Sequence, residues 1–274
     1  MWARGVGGFG NVASDGNGPA LTFSGGGVVV GADTQVDDQW LVGASLGYVS
    51  GSSASSFVGS TVTASNYQAA LYSNWQSGPF FVDGQLAYTH ADYTTERTLS
   101  FGGFSSQAQG KPGGNALTMA SRAGLTLRAG PVLLEPSLGL DWYHVSRNAF
   151  SESGADVAGL AVAAQSVDVV KPSIGLRLTS SFTIDQDLIA MPEARVRYYH
   201  DVGDGRVPVT AALLGLPGTS FTTLATYPGR DSVVLGVRLS AQRSRAMRLF
   251  VDYNVELANH LTAHTMTGGV RLSF

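Results

Sequence analysis

The sequence predicts an all-β protein, a twelve-stranded antiparallel transmembrane β-barrel. Three observations carry that expectation. Apolar and polar residues alternate at period two along most of the chain. The stretches that alternate are joined by connections that are short and long by turns. Aromatic residues recur on the apolar face at a fixed spacing.

Composition sets the bounds. The chain has 274 residues, a net charge of -3 and 35 glycines, and only 14% of its residues are charged. Soluble domains usually carry roughly 25% charged residues. There is no cysteine, which excludes a disulfide framework, a thiol nucleophile and a thiolate metal site. No basic patch suggests nucleic acid. No helical membrane span is legible. Gln39 to Val82 lacks charged residues and histidine, but it alternates and is dense in Ser, Gly, Asn and Gln. Residues 207–229 are uncharged but interrupted by Pro208, Pro217 and Pro228. Neither is an apolar run of about 20 residues. The opening MWARGVGGFG lacks the apolar core of a secretory signal. The chain is therefore expected to be either a cytosolic protein or a piece of a longer precursor; the piece is favoured because the strand pattern begins at once at Trp2, so that residues 1–274 are the barrel, with signal peptide, passenger and pore helix absent.

The twelve strands are expected at 2–13, 22–36, 40–53, 62–77, 79–98, 115–129, 132–149, 166–183, 188–202, 230–242, 246–258 and 263–274. Tight turns of turn-forming residues fall at Asp37-Asp38-Gln39, Ser77-Gly78-Pro79, Ala129-Gly130-Pro131, Asp185-Gln186-Asp187 and Arg243-Ser244-Arg245. Longer links fall at 14–21, 54–61, 99–114, 150–165 and 203–229. Short turns on one rim and long loops on the other describe an outer-membrane barrel, and an even strand count puts both chain ends on the short-turn, periplasmic side.

Each strand divides into two faces. In 132–149, Leu134, Pro136, Leu138, Leu140 and Trp142 oppose Glu135, Ser137, Gly139, Asp141 and Tyr143. In 188–202, Glu193, Arg195 and Arg197 oppose Ala194, Val196 and Tyr198. In 246–258, Leu249, Val251, Tyr253, Val255 and Leu257 oppose Asp252, Asn254 and Glu256. A soluble sandwich also alternates, so the aromatic spacing matters more. Trp40 and Tyr48, Tyr67 and Trp75, and Phe80 and Tyr88 are pairs eight residues apart on one face. At about 3.3 Å per residue and roughly 40° tilt, each spans about 20 Å along the membrane normal. The apolar band of an outer-membrane barrel is roughly 25 Å tall and flanked by aromatic girdles. Trp40, Trp75 and Phe80, beside short turns, and Phe274 at the chain end are assigned to the periplasmic girdle. Tyr48, Tyr67, Tyr88, Trp142 and Tyr198 are assigned to the outer one.

The opposite face collects charge. Asp83, Arg122, Arg128, Glu135, Asp141, Arg147, Lys171, Arg177, Glu193, Arg195, Arg197, Arg238, Asp252, Glu256 and Arg271 all fall on it. In a dry core these would cost several kcal/mol per unpaired ion. A water-filled lumen removes that penalty.

Several motifs carry no chemistry in this setting. Gly5-Val6-Gly7-Gly8-Phe9-Gly10 has dinucleotide-loop spacing but follows no strand and opens no helix. Gly43-Ala44-Ser45-Leu46-Gly47 matches a nucleophile elbow but lies inside an alternating strand. His260 and His264 would stand about 13 Å apart on a strand, too far to share a metal. His90, His144 and His200 lie towards outer strand ends, and spacing supports no Ser-His or Asp-His pairing. Asp15 to Pro19 reads as a turn without the remaining calcium ligands. No enzyme activity and no cofactor are expected.

The opening WARGVGGFG, the segment FSGGGVVVGADTQVDDQWLVGASLGY, PEARVRYYHDV, LPGTSFT with PGRDSVVLGVRLSAQ, and the closing LFVDYNVEL and HTMTGGVRLSF resemble, in order, the β-domain of monomeric autotransporters. The resemblance spans nearly the whole chain. It implies a barrel in the outer membrane of a Gram-negative bacterium, anchoring and helping to export an N-terminal passenger joined through a helical pore segment. It also implies assembly by the barrel-assembly machinery, contact with outer-membrane lipid, and a monomer. Val270, Leu272 and Phe274 match the family's C-terminal sorting signature. A free edge strand ending in an aromatic is open to recognition before closure. Some family members cleave their pore segment with lumen acids; here the acids are read as partners for lumen arginines or for the pore helix. The alternative function is a self-contained pore for small solutes.

Overall fold

The structure is a computed structural model that describes residues 1–55, 59–185, 188–203, 205–216, 218–243 and 246–273. Twelve long strands form the body: β1 (Trp2–Val12), β2 (Leu21–Gln35), β3 (Trp40–Ser55), β4 (Ser60–Ser77), β5 (Phe80–Phe101) and β6 (Gly113–Leu125), which Leu127–Ala129 extends. They continue with β7 (Val132–Arg147), β8 (Gln165–Ser180), β9 (Leu188–His200), β10 (Asp231–Arg243), β11 (Met247–Ala258) and β12 (Leu261–Leu272). Each pairs antiparallel with its neighbours in chain order. β1 and β12 then close the sheet from Trp2↔Arg271 to Val12↔Leu261.

Closure and period two together fix the two faces. Trp2 lies opposite Arg271 and Gly31, so even positions of β1 and odd positions of β2 and β12 point inward. The same inward parity runs round the barrel through Asp83↔Arg122, Arg122↔Gly139, Glu135↔Arg177, Arg177↔Arg195, Glu193↔Arg238 and Arg238↔Asp252. The outward face is apolar and bare: Leu71 is 63% exposed, Leu138 65% and Val251 67%. Among the described residues no large side chain is fully buried. A soluble sandwich would hide those side chains in a dry core; this sheet turns them towards lipid.

The short rim is built from local chemistry. Asp37 Oδ1 accepts the amides of Gln39 and Trp40, each at 2.8 Å, and closes the β2–β3 turn. Gly78 and Gly130 take φ of +56° and +61° in their turns, a region that disfavours any residue with a Cβ. Residues 186–187 and 244–245 of the other two expected turns lie outside the described residues.

The long-loop rim corrects the sequence reading. The link expected at 99–114 is mostly strand, because β5 runs on to Phe101 and pairs with Phe104–Gly110 as a hairpin. The links at 150–165 and 203–229 supply a second sheet of Phe150–Ser151, Leu160–Val162, Pro208–Leu213 and Ser220–Leu224, paired in that order. Arg97 and Glu152 tie the hairpin to this sheet through two bonds of 3.2 and 2.5 Å. A second clasp joins the β1–β2 loop to the segment before β10. Asp15 Oδ1 accepts the amides of Asn17 and Gly18, and its Oδ2 accepts the amide of Tyr227 at 3.1 Å. These backbone donors, Gly18 first, hold the Asp15 carboxyl well below the usual carboxylate range.

Candidate functional site: the barrel lumen

The inward face is polar and charged, and its charges are organised in pairs. Asp252 is the most enclosed carboxylate. Its oxygens accept from Arg195 Nη2 at 2.7 Å, from Arg238 Nε at 2.8 Å and from Asn254 Nδ2 at 2.6 Å. Arg195 also reaches Glu193 at 2.7 Å and the Asn254 side-chain oxygen at 2.6 Å. On the adjoining wall Arg177 pairs with Glu135, which also accepts from Thr126 Oγ1 at 3.1 Å. Arg122 Nε donates to Asp83 at 2.8 Å, and Asn74 donates to the other oxygen of that carboxylate at 2.6 Å. Arg197 donates to Ser137 and Ser173 at 2.9 and 3.0 Å, on a register that also holds Asp141 and Lys171. These charge-assisted bonds are stronger than neutral ones and fix long side chains against the wall.

The remaining residues expected in the lumen sit as follows. Arg128 is on the inward register opposite Leu133 but exposed at the short-turn rim. Arg147 is at the opposite end, donating to the Ala163 carbonyl at 3.0 Å with its guanidinium over Phe150. Glu256 faces inward between Val234 and Ala263. Arg271 donates to Asp33 at 2.5 Å, Asp33 accepts from the Tyr72 hydroxyl at 2.9 Å, and Trp2 Nε1 donates to that hydroxyl at 2.6 Å. Trp2, Arg4, Asp33, Tyr72 and Arg248 were not picked out from the sequence. The signal was present, since each has the inward parity of its strand. With Arg122, Arg197 and Arg238 they line a lumen cavity of about 640 Å³. Ser45, the elbow-motif serine, is a wall residue of the same cavity.

The aromatic residues stand on the outside. Trp40 and Trp75 are cross-strand partners at the short-turn rim with ring centres 6.5 Å apart. Tyr48 and Tyr67 are partners further out at 5.2 Å. Phe80 is exposed beside its turn, and Tyr88 and Tyr198 are exposed on the outer half of the wall, with Trp142 on the same face. Val270 and Leu272 face outward on β12 opposite Leu249 and Met247, whereas Phe274 lies outside the described residues.

One sequence expectation is overturned here. Asp-His pairs do exist: His144 Nδ1 is 3.0 Å from Asp168 Oδ1, and His200 Nδ1 is 2.8 Å from Asp231 Oδ1. Each aspartate also accepts from the girdle ring two residues before the histidine, Trp142 in one case and Tyr198 in the other. Their sequence separations are large because the partners meet across strands, and only the register reveals them. All four residues face outward, so the pairs lock girdle side chains instead of building a lumen site.

A closed twelve-stranded sheet with an apolar outer face, aromatic rims and a charged wet interior defines an outer-membrane barrel protein. The profile of the family described as "Autotransporter beta-domain" matches residues 1–254, and the chain belongs to that family. It is therefore an outer-membrane translocator barrel of a Gram-negative bacterium. The chain is 21% identical over 276 residues to an "Extracellular serine protease" of Serratia marcescens, covering 100% of this chain and 26% of that protein. It is 24% identical over 260 residues to "Outer membrane protein B" of Rickettsia conorii, covering 90% of this chain and 16% of that protein. The chain thus spans about a quarter or less of these relatives. The translocator domain of the autotransporter NalP from Neisseria meningitidis superposes with a TM-score of 0.78 at 15% identity, covering 100% of this chain and 87% of that one.

Proposed function

We propose that the barrel anchors, and assists the export of, a passenger joined to its N-terminal end. The carrying observation is the direction of the chain at a polar lumen. The Met1 amine donates to the Leu272 carbonyl at 2.9 Å on the short-turn rim, and β1 then runs outward. A peptide continuing upstream from Met1 starts at the periplasmic mouth, and its polar backbone reaches the surface only through a wet channel. The passenger's linker occupies that channel, lumen arginines and acids hold it, and no catalytic step or cofactor is part of this reading. The edge presented by β12, with Val270, Leu272 and Phe274, serves recognition by the barrel-assembly machinery before β1 pairs with it, and the folded unit works as a monomer.

The test joins a signal peptide and a reporter passenger upstream of Trp2 and measures reporter cleavage by protease added to intact cells. Cleavage is expected in cells whose barrel shows the heat-dependent gel shift of a folded outer-membrane protein. A folded barrel whose reporter stays protected would sink the export reading and leave the solute pore in its place.

A further inference from the structure

The outer face repeats one arrangement three times. A girdle ring, a histidine two residues further on and an Asp or Asn of the next strand meet at one oxygen. Between β5 and β6, Asn115 Oδ1 accepts from the Tyr88 hydroxyl at 2.7 Å and from His90 Nδ1 at 3.0 Å. Between β7 and β8, Asp168 Oδ1 accepts from Trp142 Nε1 at 3.1 Å and from His144 Nδ1 at 3.0 Å. Between β9 and β10, Asp231 Oδ1 accepts from the Tyr198 hydroxyl at 2.5 Å and from His200 Nδ1 at 2.8 Å. β5, β7 and β9 all run outward from the short-turn rim, so each histidine stands beyond its girdle ring. At about 3.3 Å per residue and roughly 40° tilt, two residues place it about 5 Å further out, in the headgroup layer.

These oxygens only accept, so Nδ1 carries a proton in every case and Nε2 is the atom that can change. It is a lone pair in the neutral ring and an N–H donor in the imidazolium. His90 Nε2 already faces Asp92 at 3.5 Å. Among the described residues no carboxylate stands within ion-pair reach of Nε2 on His144 or His200, whose side chains are 41% and 42% exposed. The charged groups around them are Asp168 opposite His144, and Asp231 opposite His200 with Arg230 acting on the same carboxylate. On their other flanks stand Leu117 of β6 beside His144, and β8 at Val170, which accepts the Val202 amide, beside His200. With the rings neutral, the aspartates repel a phosphate. Protonation offsets each aspartate charge and turns Nε2 into a donor.

We propose that His144 and His200, each held by its aspartate, bind the phosphate of an anionic outer-leaflet lipid through Nε2–H of the imidazolium. Lipid is the occupant because both rings stand on the lipid-facing side at headgroup level. The two bays lie two strands apart, about 10 Å, so each takes its own phosphate. His90 forms no third bay, because Asp92 occupies its Nε2. A bound phosphate favours the charged ring, so binding tightens as pH falls through the ordinary imidazole range near about 6.5.

Trp142, with its ring centre 6.3 Å from that of His144, reports on its own bay. The full chain, with Trp40 and Trp75 of the other girdle replaced by Phe, is reconstituted in phosphatidylcholine vesicles carrying bromine-labelled phosphatidylglycerol. Trp2 faces the lumen, away from the acyl chains. Quenching by that lipid, divided by quenching by bromine-labelled phosphatidylcholine, gives its relative association with the bay. Phosphatidylglycerol keeps its single negative charge throughout. The ratio is expected to rise about threefold from about pH 8 to about pH 5.5, the scale of one exposed ion pair. In His144→Gln the rise should shrink to under about 1.3-fold, and in His90→Gln it should persist. Millimolar inorganic phosphate should leave the ratio unchanged. A flat ratio in the parent, a full rise in His144→Gln, or displacement by inorganic phosphate overturns the proposal. If His144→Gln does not insert, the parent pH series and His90→Gln decide, and a rise lost in His90→Gln counts against the assigned bays.

Discussion

Removing the Asp252 carboxylate is the sharpest test of how the lumen wall holds itself together. Its side chain is 4% exposed, against 22% for Arg195 and 38% for Arg238. Breaking an enclosed ion pair by deleting one partner costs about 3–5 kcal/mol, because the surviving charge is left desolvated. Arg195 keeps Glu193 at 2.7 Å, and Arg238 opens towards lumen water. Asp252→Ala is therefore placed at about 3 kcal/mol, the lower end of that range. The two arms should differ. A double-mutant cycle of Asp252→Asn with Arg195→Gln should give a coupling of about 2 kcal/mol, and the cycle with Arg238→Gln should give under about 1 kcal/mol, since exposed pairs contribute little. The assay is guanidinium unfolding from lipid vesicles followed by tryptophan fluorescence, with linear extrapolation to water. Coupling to Arg238 equal to or larger than coupling to Arg195, or an Asp252→Ala cost below about 0.5 kcal/mol, would refute the ranking by enclosure.

Other substitutions test the two faces, the wall packing and the outer clasp. Leu138→Arg, on the exposed outer face of β7 and four residues short of the girdle Trp142, should cost about 2–4 kcal/mol near the bilayer midplane. Ala120→Arg, on the inward face of β6 and opposite Asp141, should cost under about 1 kcal/mol in the same titration. Gly43→Val should cost about 1–3 kcal/mol, because any Cβ there runs into the Tyr72 ring and displaces its hydroxyl from Asp33 and Trp2. Asp15→Asn should lower hydrogen-exchange protection of the Tyr227 amide at pH 7. In the parent protein, the carboxyl's depressed pKa means the clasp is complete above the ordinary carboxylate pKa and is lost only as pH falls through the lower folded value. Protection unchanged by the Asn substitution would show that Asp15 does not hold that loop.

Which face a residue takes was legible in the sequence; which residue it meets was not. Parity alone puts Asp83 and Arg122 inward, yet their contact depends on the β5–β6 register. His144 and Asp168 illustrate the failure more clearly, because no local spacing links residues that pair only after two strands have aligned. Arg4, Asp33 and Arg248 were passed over for a different reason. They lie near strand ends, among glycines or beside a turn, where a few alternating residues look weaker than the long runs in β7 or β11. The outer sheet escaped because Pro208–Leu213 and Ser220–Leu224 are too short to span lipid and are flanked by proline and glycine. A reading tuned to membrane-length strands assigns such segments to loop.

The two halves of the wall also solve different problems. The charged pairs lie mostly on β5 to β11, where guanidinium groups reach across neighbouring strands and are held by carboxylates, serines or asparagines. The inward face of β2 and β3 is instead rich in glycine, at Gly25, Gly27, Gly31, Gly43, Gly47 and Gly51. There, aromatic side chains from neighbouring strands lie flat on the bare backbone, Trp2 over Gly31 and Tyr72 over Gly43. A ring lying along the wall narrows the channel less than one standing upright, and it covers backbone that no side chain protects. One side of the lumen thus carries the anchoring charges while the other stays low and smooth. On the proposed export reading, a threaded peptide meets electrostatic grip on one flank and clearance on the opposite one. On that reading, adding bulk at Gly31 or Gly43 should obstruct passage through the second property alone, leaving the ion pairs of the first in place.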